Sequence, residues 1–338
     1  MIWFRRINSL ALLLCFCVVV LGAFVRLSDA GLGCPDWPGC YGHITVPDAD
    51  HEVQAAEARF PDRPVEAHKA WKEMVHRYFA STLGLLIVAL AAISLLRRKP
   101  GIPRVLPLAL VALVIFQGLL GMWTVTWLLK PLVVTGHLIG GMTTLALLLW
   151  LRLSVRPGPG TRDPGPGDAL PPKGLRTFAA VALVVLACQI FLGGWTSTNY
   201  AALACPDFPT CQLKMLPELD LKGAFTLWHG LGINYEYGVL DNRQRVTIHF
   251  IHRVGAVIVA LAFALLALFL LLRGSGRWRR LGALVLAAVL LQLTIGISIV
   301  MLHLPLGLAT AHNAGAAILL LVTVALNFFA RDAGRQKP

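Results

Sequence analysis

Eight apolar blocks, each about as long as a bilayer is thick, leave this chain few ways to fold. They run roughly 7–26, 72–96, 104–127, 132–153, 176–198, 246–272, 281–302 and 306–330. A helix needs about 20 residues to cross a hydrocarbon core of roughly 30 Å. Backbone amides in that core find no water, so only helices and closed barrels span it. Of the residues, 14% are charged and 57% hydrophobic, against about 25% charged in soluble domains. The sequence therefore predicts an all-α membrane protein with eight transmembrane helices. The first block follows Met-Ile-Trp-Phe-Arg-Arg and lacks a small-residue cleavage site, so it reads as an uncleaved helix. No Arg- and Ser-rich presequence precedes it, which argues for a bacterial (inner) cell membrane over an imported organelle protein.

In a soluble chain the net charge of +13 would suggest an acidic partner such as nucleic acid. Here the basic residues gather on one side of the predicted membrane. The N-terminus, the stretches 97–104, 152–176 and 273–280 and the C-terminal tail hold 18 of the 30 Lys and Arg. The same segments hold only Asp163, Asp168 and Asp332 of the 17 acids. Lys and Arg mark cytoplasmic loops, so both termini are expected in the cytoplasm, with the loops 27–70 and 199–245 outside. No nucleic-acid partner is expected.

The chain also repeats itself. Cys34-Pro-Asp-Trp-Pro-Gly-Cys40 returns as Cys205-Pro-Asp-Phe-Pro-Thr-Cys211, and Gly22 as Gly193, at an offset of 171. His76-Arg77 returns as His252-Arg253, Gln117-x-x-x-Gly121 as Gln292-x-x-x-Gly296, and Thr135-Gly-His137 as Thr310-Ala-His312, at offsets of 175 or 176. Landmarks in one order at nearly one offset imply a duplication, with parallel repeats about an axis along the membrane normal. The expected organisation is two pseudo-symmetric four-helix bundles, residues 1–153 and 176–338. A Pro/Gly-rich cytoplasmic linker, 154–175, joins them.

Four histidines fall just inside helices: His76, His137, His252 and His312, each about five residues into its apolar block. All four helices run inward from outside, so each ring should lie within roughly 10 Å of the outer boundary. Packed helices lie about 8–10 Å apart, which puts opposite corners of a square bundle at about 11–14 Å. That gap suits an iron porphyrin held by one imidazole from each side. A lone intramembrane histidine could equally be a hydrogen-bonding residue or a proton relay. Two pairs at one depth in two repeats favour haem ligation. Bare zinc or copper would want further donors, and the candidates in reach are Glu73 and His249.

Glu73 and His249 also break the repeat: Glu73-Met-Val-His76 becomes His249-Phe-Ile-His252. Residues three apart share a helix face, so a carboxylate lies beside the first pair and an imidazole beside the second. Glu73 could take up protons or stabilise positive charge at a porphyrin edge. It could instead be an interfacial carboxylate neighbouring Lys69 and Lys72. Arg77 and Arg253 could pair with haem propionates or snorkel to the interface. Cys34/Cys40 and Cys205/Cys211 lie in outward loops, where disulfides persist. Within each pair they could bridge as structural staples, or exchange electrons with an external thiol partner. Cys15, Cys17 and Cys188 read as packing residues, and His43, His51, His68, His229 and His303 as ordinary loop or helix-end residues.

Gly-Leu-Gly-Cys34-Pro-Asp-Trp-Pro, Glu73-x-x-His76-Arg77, Gly136-His137, His252-Arg253 and Ala311-His312-Asn313 together resemble the haem A synthase family, over about residues 8–330. The resemblance implies an enzyme that oxidises the C8 methyl of haem O to a formyl group by successive hydroxylations with water-derived oxygen. It implies His252 and His312 as ligands of a resident haem b and His76 and His137 as ligands of the substrate haem. It also implies Glu73 as catalytic carboxylate, with Cys34 and Cys40 implicated in activity as in the cysteine-bearing branch. Implied partners are haem O, the haem O synthase (a protohaem farnesyltransferase) that supplies it, membrane lipid, an electron acceptor of unspecified kind and a second copy of the chain. The competing readings are a bis-His cytochrome b that only carries electrons, and a haem transporter or chaperone.

Overall fold

In the computed structural model, which describes residues 2–96, 101–155, 171–230 and 232–333, every apolar block is a helix. Among the described residues the helices are α1 (Ile2–Leu27), α2 (Asp50–Arg59), α3 (Ala67–Leu96), α4 (Val105–Thr126), α5 (Pro131–Ser154), α6 (Leu175–Thr198), α7 (Leu221–Ala224), α8 (Asn242–Arg273), α9 (Arg277–Met301) and α10 (Leu306–Ala333). Eight of them, all but α2 and α7, are long and apolar enough to cross a membrane. The linker expected at 154–175 falls largely on 156–170, outside the described residues, as do Arg97, Arg98, Lys99 and several other basic residues used to orient the chain.

Several helices begin earlier than their apolar blocks. α3 starts at Ala67 and α8 at Asn242, because the backbone ladder continues into polar residues above the hydrocarbon. At α8 the sequence supplies its own start signal. The Asp241 carboxylate accepts from Gln244 N at 2.8 Å, and the Gln244 side chain accepts from Asp241 N at 3.3 Å, a reciprocal cap that satisfies two orphan donors. His76 and His252 consequently sit about three turns into their helices, while their depth within the apolar runs is as the sequence suggested. His51 and His68, expected in loops, lie in α2 and α3.

Helix α1 packs on α3, α3 on α4, α4 on α5, and α5 back on α1. Helices α6, α8, α9 and α10 close a ring in the same order. The histidine-bearing helices therefore stand at alternate corners: α3 and α5 in one ring, α8 and α10 in the other. Helix α10 also packs on α1 and α5, and α5 on α6. There the Thr135 and Thr198 hydroxyls meet at 3.2 Å, and within the second ring Asn327 on α10 donates to the Ala179 carbonyl on α6 at 2.8 Å. A continuous buried core including Phe4, Ile87, Leu145, Leu148, Phe263 and Leu270 fills the helix interior. Leu85, Ile115, Val184, Leu261 and Leu291 point outward from the bundle, as lipid-facing positions do. Cys15 is buried as expected, whereas Cys17 and Cys188 are exposed on this outer surface rather than packed inside.

The connecting loops have cores of their own. Cys34, Cys40, Tyr41, Val46, Ala56, Ala70 and Met74 cluster under the first. Trp195, Ala201, Ala224, Leu240 and Ile248 cluster under the second. The second loop also reaches across to the α4–α5 turn. Lys130, only 2% exposed, donates to the Gly230 carbonyl at 2.8 Å, and its ammonium lies 2.9 Å from the Trp228 ring centre. Tyr235 N donates to the Leu128 carbonyl at 3.0 Å, and Arg63 pairs with Glu236 at 3.1 Å. Burial draws the Lys130 ammonium below its ordinary range. Removing the ring in Trp228→Ala leaves that ammonium one neutral acceptor and deletes a cation–π contact of about 0.5–2 kcal/mol. Hydrogen exchange at 225–238 should accelerate about three- to thirty-fold while α5 amides stay protected; unchanged loop exchange would show that this contact contributes nothing.

Candidate functional site

Each repeated cysteine turn is built by an aspartate. In Cys34-Pro-Asp-Trp-Pro-Gly-Cys40, Asp36 accepts from Tyr41 N and Gly42 N, both at 2.7 Å. In the second turn Asp207 accepts from Gln212 N at 2.7 Å, from Leu213 N at 2.9 Å and from the Thr210 hydroxyl. The Thr210 hydroxyl, with these amides, holds the Asp207 carboxyl down at about 2. Both cysteine pairs are closed as disulfides, with Cα atoms 4.8 Å and 4.6 Å apart. All four cysteines are buried, so an outside thiol reaches neither bridge without opening its turn. Gly33 is needed where it stands: a Cβ there would lie 2.6 Å from the backbone of Lys69, so only glycine lets the loop lie against α3.

Glu73 fastens this turn to α3. It is 5% exposed, accepts from Cys34 N at 3.0 Å and pairs with Arg77 at 2.5 Å. Arg77 in turn donates to the carbonyls of Asp36 at 3.1 Å, Pro38 at 3.2 Å and Gly39. The lysines expected beside Glu73 are engaged elsewhere: Lys69 pairs with Glu66 at 2.8 Å, and Lys72 lies 5.5 Å from the Phe24 ring centre. In the second turn Cys205 N and Arg253 Nε each come within 3.2 Å of a His249 ring nitrogen. A neutral imidazole accepts at only one of its nitrogens, so His249 makes one bond where the Glu73 carboxylate makes two. Arg253 also donates to the Thr210 and Cys205 carbonyls, both at 2.7 Å. The two arginines thus clamp loop carbonyls, a use that neither the propionate nor the snorkelling expectation anticipated. The signal was available in the sequence: an Arg four residues after the variable Glu/His position, beside a carbonyl-rich Pro/Gly turn.

The four helix histidines are brought together in pairs. The His76 and His137 rings are near enough to act on each other electrostatically, as are His252 and His312. Each ring leans on a glycine of the neighbouring helix. A Cβ would lie 2.9 Å from the His76 ring at Gly22 on α1, and 3.5 Å from the His137 ring at Gly121 on α4. It would lie 3.3 Å from the His252 ring at Gly193 on α6, and 3.1 Å from the His312 ring at Gly296 on α9. Nδ1 of His137 and of His312 is buried with no hydrogen-bond partner, an expensive state for a polar atom unless it serves a bound group. Among the described residues no three His, Cys, Asp or Glu converge to cage a metal ion. A pair of facing imidazoles fits an iron porphyrin, which brings four equatorial nitrogens of its own and asks the protein only for axial ligands.

Removing Arg77 tests how the first turn is held. Arg77→Ala strands a buried carboxylate, which costs about 3–5 kcal/mol; Arg253→Ala only frees carbonyls and the neutral His249, about 1–3 kcal/mol. The thermal midpoint of the purified protein should fall further for Arg77→Ala than for Arg253→Ala, and equal falls would remove the special standing of Glu73.

Residues 5–324 match the family model of the COX15-CtaA cytochrome oxidase assembly proteins. The haem A synthase of Shewanella oneidensis is 48% identical over 327 residues, covering 97% of this chain and 96% of that protein. That of Beijerinckia indica is 31% identical over 339 residues, 94% and 89% of the two chains. That of Caulobacter vibrioides is 29% identical over 334 residues, 92% and 91%.

Proposed function

The chain belongs to the haem A synthase family, and from that membership we propose that it oxidises the C8 methyl of haem O to the formyl group of haem A. It is a multi-pass membrane protein of haem A biosynthesis. The conversion removes four electrons: a methyl group plus one water gives a formyl group, four protons and four electrons. Successive hydroxylations with water-derived oxygen divide it into two two-electron steps, and the electrons leave to an acceptor outside the chain.

In this reading residues 1–153 and 176–338 are parallel repeats joined by 154–175, with both termini cytoplasmic and the cysteine turns outside. The recurring ring of helix neighbours and the matching turns support it. His76 and His137 hold the substrate, and His252 and His312 hold haem b. When bound, haem b supplies a one-electron carrier beside the substrate site. Haem O comes from its farnesyltransferase, and a second copy of the chain remains a candidate partner.

The observation that carries the assignment is Glu73, the one acidic group at a position that the repeat otherwise fills with His249. It lies one turn from His76, and Arg77 and Cys34 N fix its two oxygens. A carboxylate so held, mostly shielded from water, can take up at Oε1 or Oε2 a proton that each oxidation step releases. The Cys34–Cys40 bridge then serves to keep Cys34 N aimed at Glu73.

Co-expression with a haem O synthase, followed by pigment extraction, should yield haem A, whereas a pure electron carrier would yield haem b alone. Glu73→Gln keeps the side chain's size and one of its two accepted hydrogen bonds, since the amide nitrogen cannot accept, and it titrates no proton. It should lower haem A yield by about 10²–10⁴-fold with haem b content unchanged, and a normal yield would remove Glu73 from the chemistry. His252→Ala should lose the six-coordinate haem b spectrum, and a retained spectrum would overturn that ligand assignment.

A further inference from the structure

Two arginines of α1 and one of α5 share a groove at the end of the bundle opposite the cysteine turns. Ile2, Arg5, Arg6, Ser9 and Arg152 line it, around a volume of about 370 Å³. Arg152 Nε donates to the Ser9 hydroxyl at 2.8 Å, and the Arg6 guanidinium lies 5.4 Å from the Trp3 ring centre. Arg5 and Arg152 are close enough to repel each other. Among the described residues no carboxylate pairs with any of the three arginines. Arg5 Nε is buried without a hydrogen-bond partner. Like charges gathered without a counterion are unfavourable where the dielectric is low, and an anion seated among them turns that repulsion into attraction.

The helices do not need these arginines to pack. The buried Asn8 amide, turned to satisfy both ends, donates to the Leu148 carbonyl at 3.3 Å and accepts from Arg152 N at 3.0 Å. The second repeat closes the same seam from the other side. Asn327 stands in the place of Arg152, at an offset of 175, and donates to the carbonyl of Ala179, which stands in the place of Asn8 at an offset of 171. Arg5 and Arg6 become Arg176 and Thr177, so one cation remains where the first repeat has three. A charge cluster that the second copy does without serves something other than the fold.

We infer that the groove binds the phosphate of an anionic phospholipid, which bridges α1 and α5. Guanidinium groups meet phosphate oxygens two bonds at a time, and basic pockets between membrane helices take anionic headgroups. The flanks favour a lipid over a free phosphate. Ile2 and Trp3 are exposed at the groove's edge, and a tryptophan there sits at headgroup level. Leu10 and Leu13, four and seven residues after Arg6 and so on its helix face, are also exposed. They offer acyl chains an apolar surface leading away from the groove. Seated there, the phosphate joins the helix of Gly22 to the helix of His137 at their far ends.

The test is native mass spectrometry of the full-length protein, stripped of lipid in detergent and offered dioleoylphosphatidylglycerol against dioleoylphosphatidylcholine. The parent should retain the phosphatidylglycerol preferentially. Each arginine beside an anionic headgroup is worth about fivefold in binding, so R5Q/R152Q should weaken phosphatidylglycerol binding about 25-fold. R273Q, at the same end of the bundle but outside the groove, should leave it unchanged. Equal retention of the two lipids by the parent, or a preference that survives in R5Q/R152Q, would overturn the inference. If the double variant does not fold, R6Q takes its place with an expected loss of about fivefold, and an unmoved preference there overturns the inference in the same way. Inorganic phosphate is the third arm. Displacement of phosphatidylglycerol by an equal concentration of it would mean that the groove takes a free anion, and would overturn the lipid assignment.

Discussion

An imidazole inside a membrane-spanning bundle must lie flat against something, and in this chain that something is the bare backbone of a glycine on the next helix. Gly22, Gly121, Gly193 and Gly296 each leave room that an alanine methyl would close to within 2.9–3.5 Å of a histidine ring. Helix spacing follows from this, because the rings occupy the seams where α3, α5, α8 and α10 meet their neighbours. Water cannot stand in for missing partners at that depth. The polar groups beside the rings are therefore few, and several of them, among them Nδ1 of His137 and of His312 and one amide atom each of Gln117, Gln189 and Gln292, find no hydrogen-bond partner within the bundle.

Above the rings, the disulfide turns act as lids whose fit is electrostatic. A Pro/Gly-rich turn presents several carbonyls to one side, and a single guanidinium gathers them. In the first turn that guanidinium is balanced by Glu73, so the charge pair stays buried without a net charge. In the second, Arg253 faces the neutral His249 and relies on carbonyls alone. One residue difference thus turns a shared structural device into a site with a carboxylate beside a histidine pair. The crossing of the second loop to Lys130 and Arg63 ties the two lids together.

The helix count, the repeat, the histidine pairs and the odd position of Glu73 were all legible, because each is a matter of apolar run length or of spacing along the chain. Helix starts were less so: α3 and α8 extend into polar sequence that a hydropathy reading assigns to loops, and α2 has too little apolar periodicity to announce itself. The roles of Arg77 and Arg253 were missed because a clamp on backbone carbonyls shows in the sequence only as the spacing of an arginine from a Pro/Gly turn, which propionate pairing or snorkelling would share. The outward exposure of Cys17 and Cys188 was missed because a lipid-facing and a core-facing position look alike in an apolar helix.

By itself the sequence determined that the chain carries eight apolar runs long enough to cross a membrane, that it repeats, and which side chains the repeats share, since hydrocarbon thickness and copied motifs act locally and in order. Tertiary structure alone decided which glycine meets which ring, that Arg5, Arg6 and Arg152 line one groove, and that Glu73 is locked between Arg77 and Cys34 N. These facts depend on contacts between helices far apart in the chain, and the helical period fixes a face without naming the neighbour it will touch.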